Sequence, residues 1–353
     1  MKDAIDSPSY FIGKGGGKLL SFGSGQPDIP PPKQVYNVDI KKVPFKYGLI
    51  QGDIDLREAL VKEFPRSNAG QFVITNGASE ALDLIFRHIG ENGGKKILIP
   101  RPYYYSYPGI VKLAGMEPVF TDLIHGKLDV DDVQEKMHEC DAILINSPGN
   151  PTGTIQDVKT LKEIEKICTD LGKVIISDEV YKDLHYERGN YLIKGENVIT
   201  VNSFSKTYSM CGHRVGYLHS YNPDMVQGTT NIKNWSSMNT SLISQAMATE
   251  ALKSYKQRSK EIKKVFKERR DVIYNGMKDL GLDLWKPEGA FYVFPKFENA
   301  SRTMHELYLK HHMITYDGAW FGDPNRVRFS YALNVDKIEE GLKRLKKYMN
   351  ERN

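Results

Sequence analysis

Cysteine is scarce: three in 353 residues, and Cys140, Cys168 and Cys211 are odd in number and far apart. That excludes a disulfide framework and a zinc-ligand pattern, and a reducing cytoplasm is the expected setting. No apolar run approaches the ~18 residues a membrane helix needs. Met1 to Asp6 carries acids and no apolar stretch, so no secretory leader is expected. A strong charge of one sign is also lacking, since 49 basic against 44 acidic residues leave only +5. Much of that excess lies in stretches such as Lys256 to Arg270 and Lys343 to Lys347, which read as solvated helix faces rather than a nucleic-acid surface. With 40% hydrophobic and 26% charged residues, membrane, fibrous and disordered classes are excluded, and the length suggests about two domains.

Fixed-period repeats and low-complexity tracts are absent too. What is there alternates. The first 36 residues are rich in glycine and proline (Gly15-Gly16-Gly17, Pro30-Pro31-Pro32) and read as an arm or loop. Helices are expected over 55–64, 78–89, 105–114, 129–139 and 157–171. Strands are expected over 96–99, 118–121, 142–146, 174–177, 198–202 and 215–219. Continuous Val/Ile/Leu strands separated by helices imply a mostly parallel sheet covered on both faces, with ligands beyond the strands' carboxyl ends. A long helical stretch, 241–279, leads away. Beyond Pro287 come a strand at 290–294, a helix at 303–311, a strand at 326–331 and a last helix from Val335. The expected architecture is therefore α/β: an N-terminal arm, 1–36, associated with the small domain; a large ligand-binding domain, 37–262; and a smaller α+β domain, 263–353.

Two motifs are decoys. Gly13 to Lys18 lacks the final glycine of a dinucleotide fingerprint. For a P-loop, Ile12 stands at the first glycine and Leu19 at the Ser/Thr place. The pair His311-His312 has no partner at metal spacing and reads as surface.

The informative block is Ser203-Phe204-Ser205-Lys206, followed by Gly212, Arg214 and Gly216, just after a strand. A lone lysine in a polar loop is usually solvated. Here a strand end, two hydroxyls and a glycine-spaced arginine come together: a desolvated amine is a nucleophile toward an aldehyde cofactor, and the hydroxyls and guanidinium suit a phosphate. Asp178 ends another strand. Such an Asp is most often a helix cap, but an aldehyde–pyridine cofactor needs a carboxylate against its ring nitrogen. The turn Asn146 to Gly153 follows a third strand and leaves the Asn150 amide for a phenolic oxygen. Thr75-Asn76-Gly77-Ala78-Ser79-Glu80 opens a helix whose N–H groups suit phosphate.

In combination these motifs (S-x-S-K with G-x-R-x-G, N-P-T-G, D-E-x-Y, and R-F-S near the C-terminus) make the chain resemble the fold-type I pyridoxal-phosphate enzymes. Within these it is most similar to the class I/II aminotransferases, which include aspartate, aromatic and histidinol-phosphate aminotransferases; the resemblance covers about residues 22–347. It implies that the large domain holds pyridoxal 5'-phosphate, with Lys206 as the Schiff-base lysine and Asp178 on the pyridinium nitrogen. Asn150 and Tyr181 would contact the ring oxygen, and Tyr104 would stack on the ring. Gly77, Ala78, Ser79, Ser203, Ser205 and Arg214 form the implied phosphate site. Arg328 would clamp the substrate α-carboxylate, with Asn150 beside it. Gly25 would let substrate approach the backbone. Tyr47 resembles the tyrosine that reaches a neighbouring subunit's phosphate, which implies a homodimer with shared sites.

The implied reaction is ping-pong transfer of an amino group from an L-amino acid, of aspartate or aromatic type, to a 2-oxo acid such as 2-oxoglutarate. Lys206 would act as general base and acid. Bacterial-type aspartate aminotransferases often carry Lys where this chain has Ser79. A histidinol-phosphate aminotransferase and a decarboxylase or lyase of the same fold are the alternatives within the resemblance. A non-catalytic α/β binding protein is the alternative outside it; Lys206, Asp178, Asn150 and Arg328 together speak against it. No metal, membrane or nucleic-acid partner is expected.

Overall fold

The computed structural model describes residues 5–14, 17–64 and 66–352. Met1 to Ala4, where the absence of a leader is read, and Gly15-Gly16 of the glycine run lie outside the described residues. In chain order the elements begin with β1 (Leu20–Ser21), α1 (Ile54–Val61), β2 (Phe72–Thr75), α2 (Ala78–Glu91), β3 (Lys96–Arg101), α3 (Tyr107–Leu113) and β4 (Glu117–Asp122). They continue with α4 (Val130–Met137), β5 (Ala142–Asn146), α5 (Val158–Asp170), β6 (Val174–Asp178), β7 (Val198–Ser203) and β8 (Gly216–Ser220). Then follow α6 (Pro223–Ser236), α7 (Leu242–Leu252), α8 (Tyr255–Asp279), β9 (Tyr292–Val293), α9 (Ala300–His311), β10 (Met313–Ile314), β11 (Tyr316–Asp317), β12 (Val327–Ser330) and α10 (Val335–Asn350).

Seven strands form the main sheet, in the order β2-β8-β7-β6-β5-β3-β4. The run from β7 to β4 is parallel; β8 is antiparallel to β7, and β2 to β8. Side chains alternate across the sheet. Ile97 and Ile99 join Leu82, Ile85 and Phe86 of α2 on one face, while Leu98 joins Val133 of α4 and Leu161 and Ile164 of α5 on the other. Burial on both faces explains why these strands read as unbroken apolar runs.

The differences from the sequence reading have local causes. Strand β8 was expected, but not its direction: the link from β7 holds only a short 3-10 turn, Cys211–His213, too little for a crossover helix, so the chain doubles back. β2 and α6 went unread. The stretch 241–279 is two helices, broken at Lys253-Ser254, where the Ser254 hydroxyl donates to the Ala251 carbonyl at 2.7 Å. The strand expected over 290–294 shrinks to β9 because Ala290 sits at φ 54°, outside extended space. His311 is not a surface residue; it is buried against Tyr348, with Glu351 at 3.3 Å. Nor is Lys256 to Arg270 wholly solvated, since Arg258, Arg269 and Arg270 are buried.

The C-terminal part builds a smaller antiparallel sheet, β11-β12-β9. The N-terminal segment is tied to this part: β1 pairs with β10 in parallel, and Phe11 packs with Phe294, Met304 and Phe321. The junction expected near 262 falls inside the continuous helix α8.

Candidate active site

The register of the main sheet brings the polar motifs to one edge. Asn146 lies opposite Asp178, and Ser203 lies opposite Gly216, which also faces Thr75. The last residues of β2, β5, β6 and β7 and the first of β8 therefore share the carboxyl edge of the parallel strands, where backbone groups of α2's first turn also lie. A cavity of about 280 Å³ opens there.

Asp178 is buried at the floor. Its Oδ2 accepts the Tyr107 hydroxyl at 2.6 Å and its Oδ1 the Val180 N–H at 3.1 Å. Burial pushes its carboxyl up to about 6, against the pull of those donors and of Lys206. A carboxylate that is costly to ionise alone, inside an aromatic pocket, is suited to a cationic or N–H⁺ partner. Neighbouring Glu179 is also raised by burial, to about 7.

Lys206 projects into the cavity, where its Nζ donates to the Gly25 carbonyl at 2.7 Å and stands 5.8 Å from the Tyr181 and Phe291 ring centres. Gly25 must lack a side chain: a Cβ there would come within 2.5 Å of the Tyr292 hydroxyl. That hydroxyl is hydrogen-bonded to the Tyr181 hydroxyl at 2.7 Å.

On one side stands the start of α2. Gly77, at φ +76°, is its N-cap, and an added Cβ would lie 2.5 Å from Arg214 Nη2. Arg214 is held by the Cys211 carbonyl (2.9 Å) and the Asn76 carbonyl (3.2 Å). Ala78, Ser79, Ser203 and Ser205 line the same side, and the Ser203 Oγ accepts the Ser205 N–H at 2.9 Å. A helix N-terminus, three hydroxyls and a guanidinium make an anion cradle.

On the opposite side β12 presents Arg328, 2% exposed. Its Nη1 donates to Asn150 Oδ1 at 2.9 Å and its Nη2 to the Gly23 carbonyl at 2.5 Å. Its guanidinium lies 4.5–4.7 Å from the Tyr292, Tyr316 and Phe321 ring centres. The Nε is buried with no hydrogen-bond partner, an orphaned donor of the kind a ligand carboxylate relieves. Tyr104 lines the cavity edge-on to Tyr107, with centroids 5.3 Å apart. The set fits a phosphorylated aromatic aldehyde: an anion cradle, an aromatic wall, a buried carboxylate and a primary amine share one cavity.

Of the residues named from sequence, twelve line this cavity, Gly77 abuts it through Arg214, and Tyr47 is not among the lining residues. Tyr47 is 82% exposed. Sequence reasoning missed Tyr107, Tyr292 and Tyr316.

The family described as aminotransferase class I and II matches residues 18–345. The "Probable aspartate/prephenate aminotransferase" of Aquifex aeolicus (strain VF5) is 33% identical, over 94% of this chain and 91% of its own length. Among solved structures, an aspartate aminotransferase from Thermotoga maritima superposes with a TM-score of 0.91 at 28% identity, covering 97% of this chain and 95% of its own. An aromatic aminotransferase from Pyrococcus horikoshii OT3 gives 0.89 at 27%, covering 98% and 99%.

Proposed function

This chain belongs to the aminotransferases of class I and II, is a transaminase of the aspartate/aromatic type, and on that footing we propose how its strand-end cavity carries the reaction. Pyridoxal 5'-phosphate, once bound, supplies a carbonyl that takes up the amino group and a ring that delocalises the electron pair released at the substrate Cα. Everything else is the work of this chain's side chains.

Lys206, freed from the Gly25 carbonyl, would hold the aldehyde through its amine and, once the donor's amino group has displaced that amine, would carry the proton from the substrate Cα to the former carbonyl carbon. Asp178 would hold the ring nitrogen in its protonated form, with Tyr107 fixing the carboxylate's orientation. The first turn of α2, Ser203, Ser205 and Arg214 would hold the phosphate. The Asn150 oxygen is taken by Arg328, so its amide N–H would serve the ring oxygen, alongside the Tyr181 hydroxyl. Tyr104 would cover the ring face. Arg328 receives the α-carboxylate, already desolvated between aromatic faces. The two substrates, an amino acid and a 2-oxo acid, use the same pocket in turn, so the kinetics are ping-pong.

The single observation that supports this most is the meeting of Lys206, buried Asp178 and buried Arg328 in one cavity from three distant stretches of chain. We also read the protein as a homodimer with shared sites. Tyr36, Ile40, Phe45, Tyr47 and Leu49 are all more than half exposed along one short stretch, an apolar display of the kind an interface covers. The two-domain division at 262/263, inside α8 and with the arm on the small domain, is part of the same reading.

The test is direct. Protein incubated with pyridoxal phosphate and treated with borohydride is expected to yield one reduced adduct, on the peptide holding Lys206, and Lys206→Ala none, with transamination lost. A colourless wild-type protein with no adduct would overturn the assignment.

A further inference from the structure

The segment after Lys206 is held from outside the cavity by the start of α8. Asp183 is buried; its Oδ2 accepts the Thr207 hydroxyl and its Oδ1 the Tyr255 hydroxyl, each at 2.8 Å. One turn along α8, Arg258 is 3% exposed. Its Nε donates to the Thr207 carbonyl at 2.9 Å and its Nη2 to the Ser209 Oγ at 2.7 Å. Thr207 is thus gripped by side chain and backbone, and Ser209, which sits at φ 55° in left-handed space, is held by a second contact. Strained backbone beside a reactive group persists only where its surroundings over-determine it.

Further along α8, Ile262, Phe266 and Ile273 enter the apolar cluster that also holds Phe291 and β9, with the Phe266 and Phe291 ring centres 5.0 Å apart, and β9 pairs with β12, the strand that carries Arg328. The helix therefore contacts both the segment that carries the amine and the sheet that carries the clamp.

We propose that Asp183 is a positioning residue, which with Thr207, Tyr255 and Arg258 forms a strap that fixes the segment carrying Lys206 to the start of α8. The proposal rests on Lys206 being the reactive amine. The strap does not touch substrate. It sets where the Lys206 side chain starts from, and proton transfer tolerates little misplacement.

The test uses the pyridoxal-phosphate-loaded enzyme and the variants Asp183→Ala, Thr207→Val, Thr207→Ser and Tyr255→Phe. Asp183→Ala and Thr207→Val are expected to lower kcat on the order of tenfold while KM for the amino donor stays within about twofold. They should also displace the pH midpoint of the cofactor's visible absorption. Thr207→Ser keeps the hydroxyl and is expected to restore both. Tyr255→Phe combined with Asp183→Ala should cost no more than Asp183→Ala alone, since the strap is already cut. If Asp183→Ala does not fold, the nearly isosteric Thr207→Val carries the test. A folded Thr207→Val enzyme with wild-type kcat and absorption midpoint overturns the strap. Loss of the borohydride adduct in the wild type would instead overturn the Lys206 reading, so the two failures are distinguishable.

Discussion

Replacing Asp178 by asparagine is expected to stabilise the cofactor-free protein and weaken the cofactor's hold. Burial raises this carboxyl from the ordinary 3.8 to about 6, and the unfolded chain therefore releases its proton first. Between about pH 4 and about pH 6 the folded protein binds more protons, so stability falls as pH rises through that window and stays lowered above it. The difference amounts to ~3 kcal/mol. Asparagine does not ionise, and the Tyr107 hydroxyl can turn to meet its amide. At pH 8 the cofactor-free variant should melt ~4 °C above the wild type, since an unfolding entropy of ~2.1 cal/mol/K per residue comes to ~0.74 kcal/mol/K for 353 residues. By pH 4 the two should coincide. Affinity for pyridoxal phosphate moves the opposite way: losing a charge-assisted hydrogen bond of ~1.5–3 kcal/mol raises Kd about 10- to 100-fold. Scanning calorimetry across pH and a spectral titration read the two effects. A variant that melts below the wild type at pH 8, or binds the cofactor as tightly, would refute the reasoning.

Arg328→Ala should reduce kcat/KM for every amino donor by about 100-fold, because a desolvated, charge-assisted clamp is lost; an unaltered kcat/KM rules out the clamp. Phe45→Asp puts a charge into the exposed aromatic stretch and is expected to shift sedimentation of the proposed dimer toward monomer. A wild-type protein that sediments as a monomer at micromolar concentration would remove the interface.

Much of the site was legible because its parts are local. Lys206 with its serines, Asp178 and Asn150 each follow an apolar strand, and strand ends in a parallel sheet face one edge. The Gly77-Ala78-Ser79 turn was legible as a helix start. Tyr107 was harder to read. A tyrosine run looks like core, and only the fold shows that one hydroxyl reaches Asp178. Tyr292 lies within the strand expected over 290–294, but nothing local shows which of its side chains reaches the cavity, and Tyr316 lies on a two-residue strand too short for a period-2 signal. The burial of Arg258 and Arg270 was also unreadable, since a basic helix looks the same whether its charges face water or buried acceptors.

The residues alone determined the alternation of strand and helix and the kinds of reactive group at the strand ends, because those follow from side-chain periodicity and backbone stereochemistry within a few residues. Tertiary structure decided which of those groups meet. Arg328 finds Asn150 and Gly23, Lys206 finds Gly25, and Asp183 finds Thr207 and Tyr255 only because the packing of segments distant in the chain sets distances that no local preference encodes.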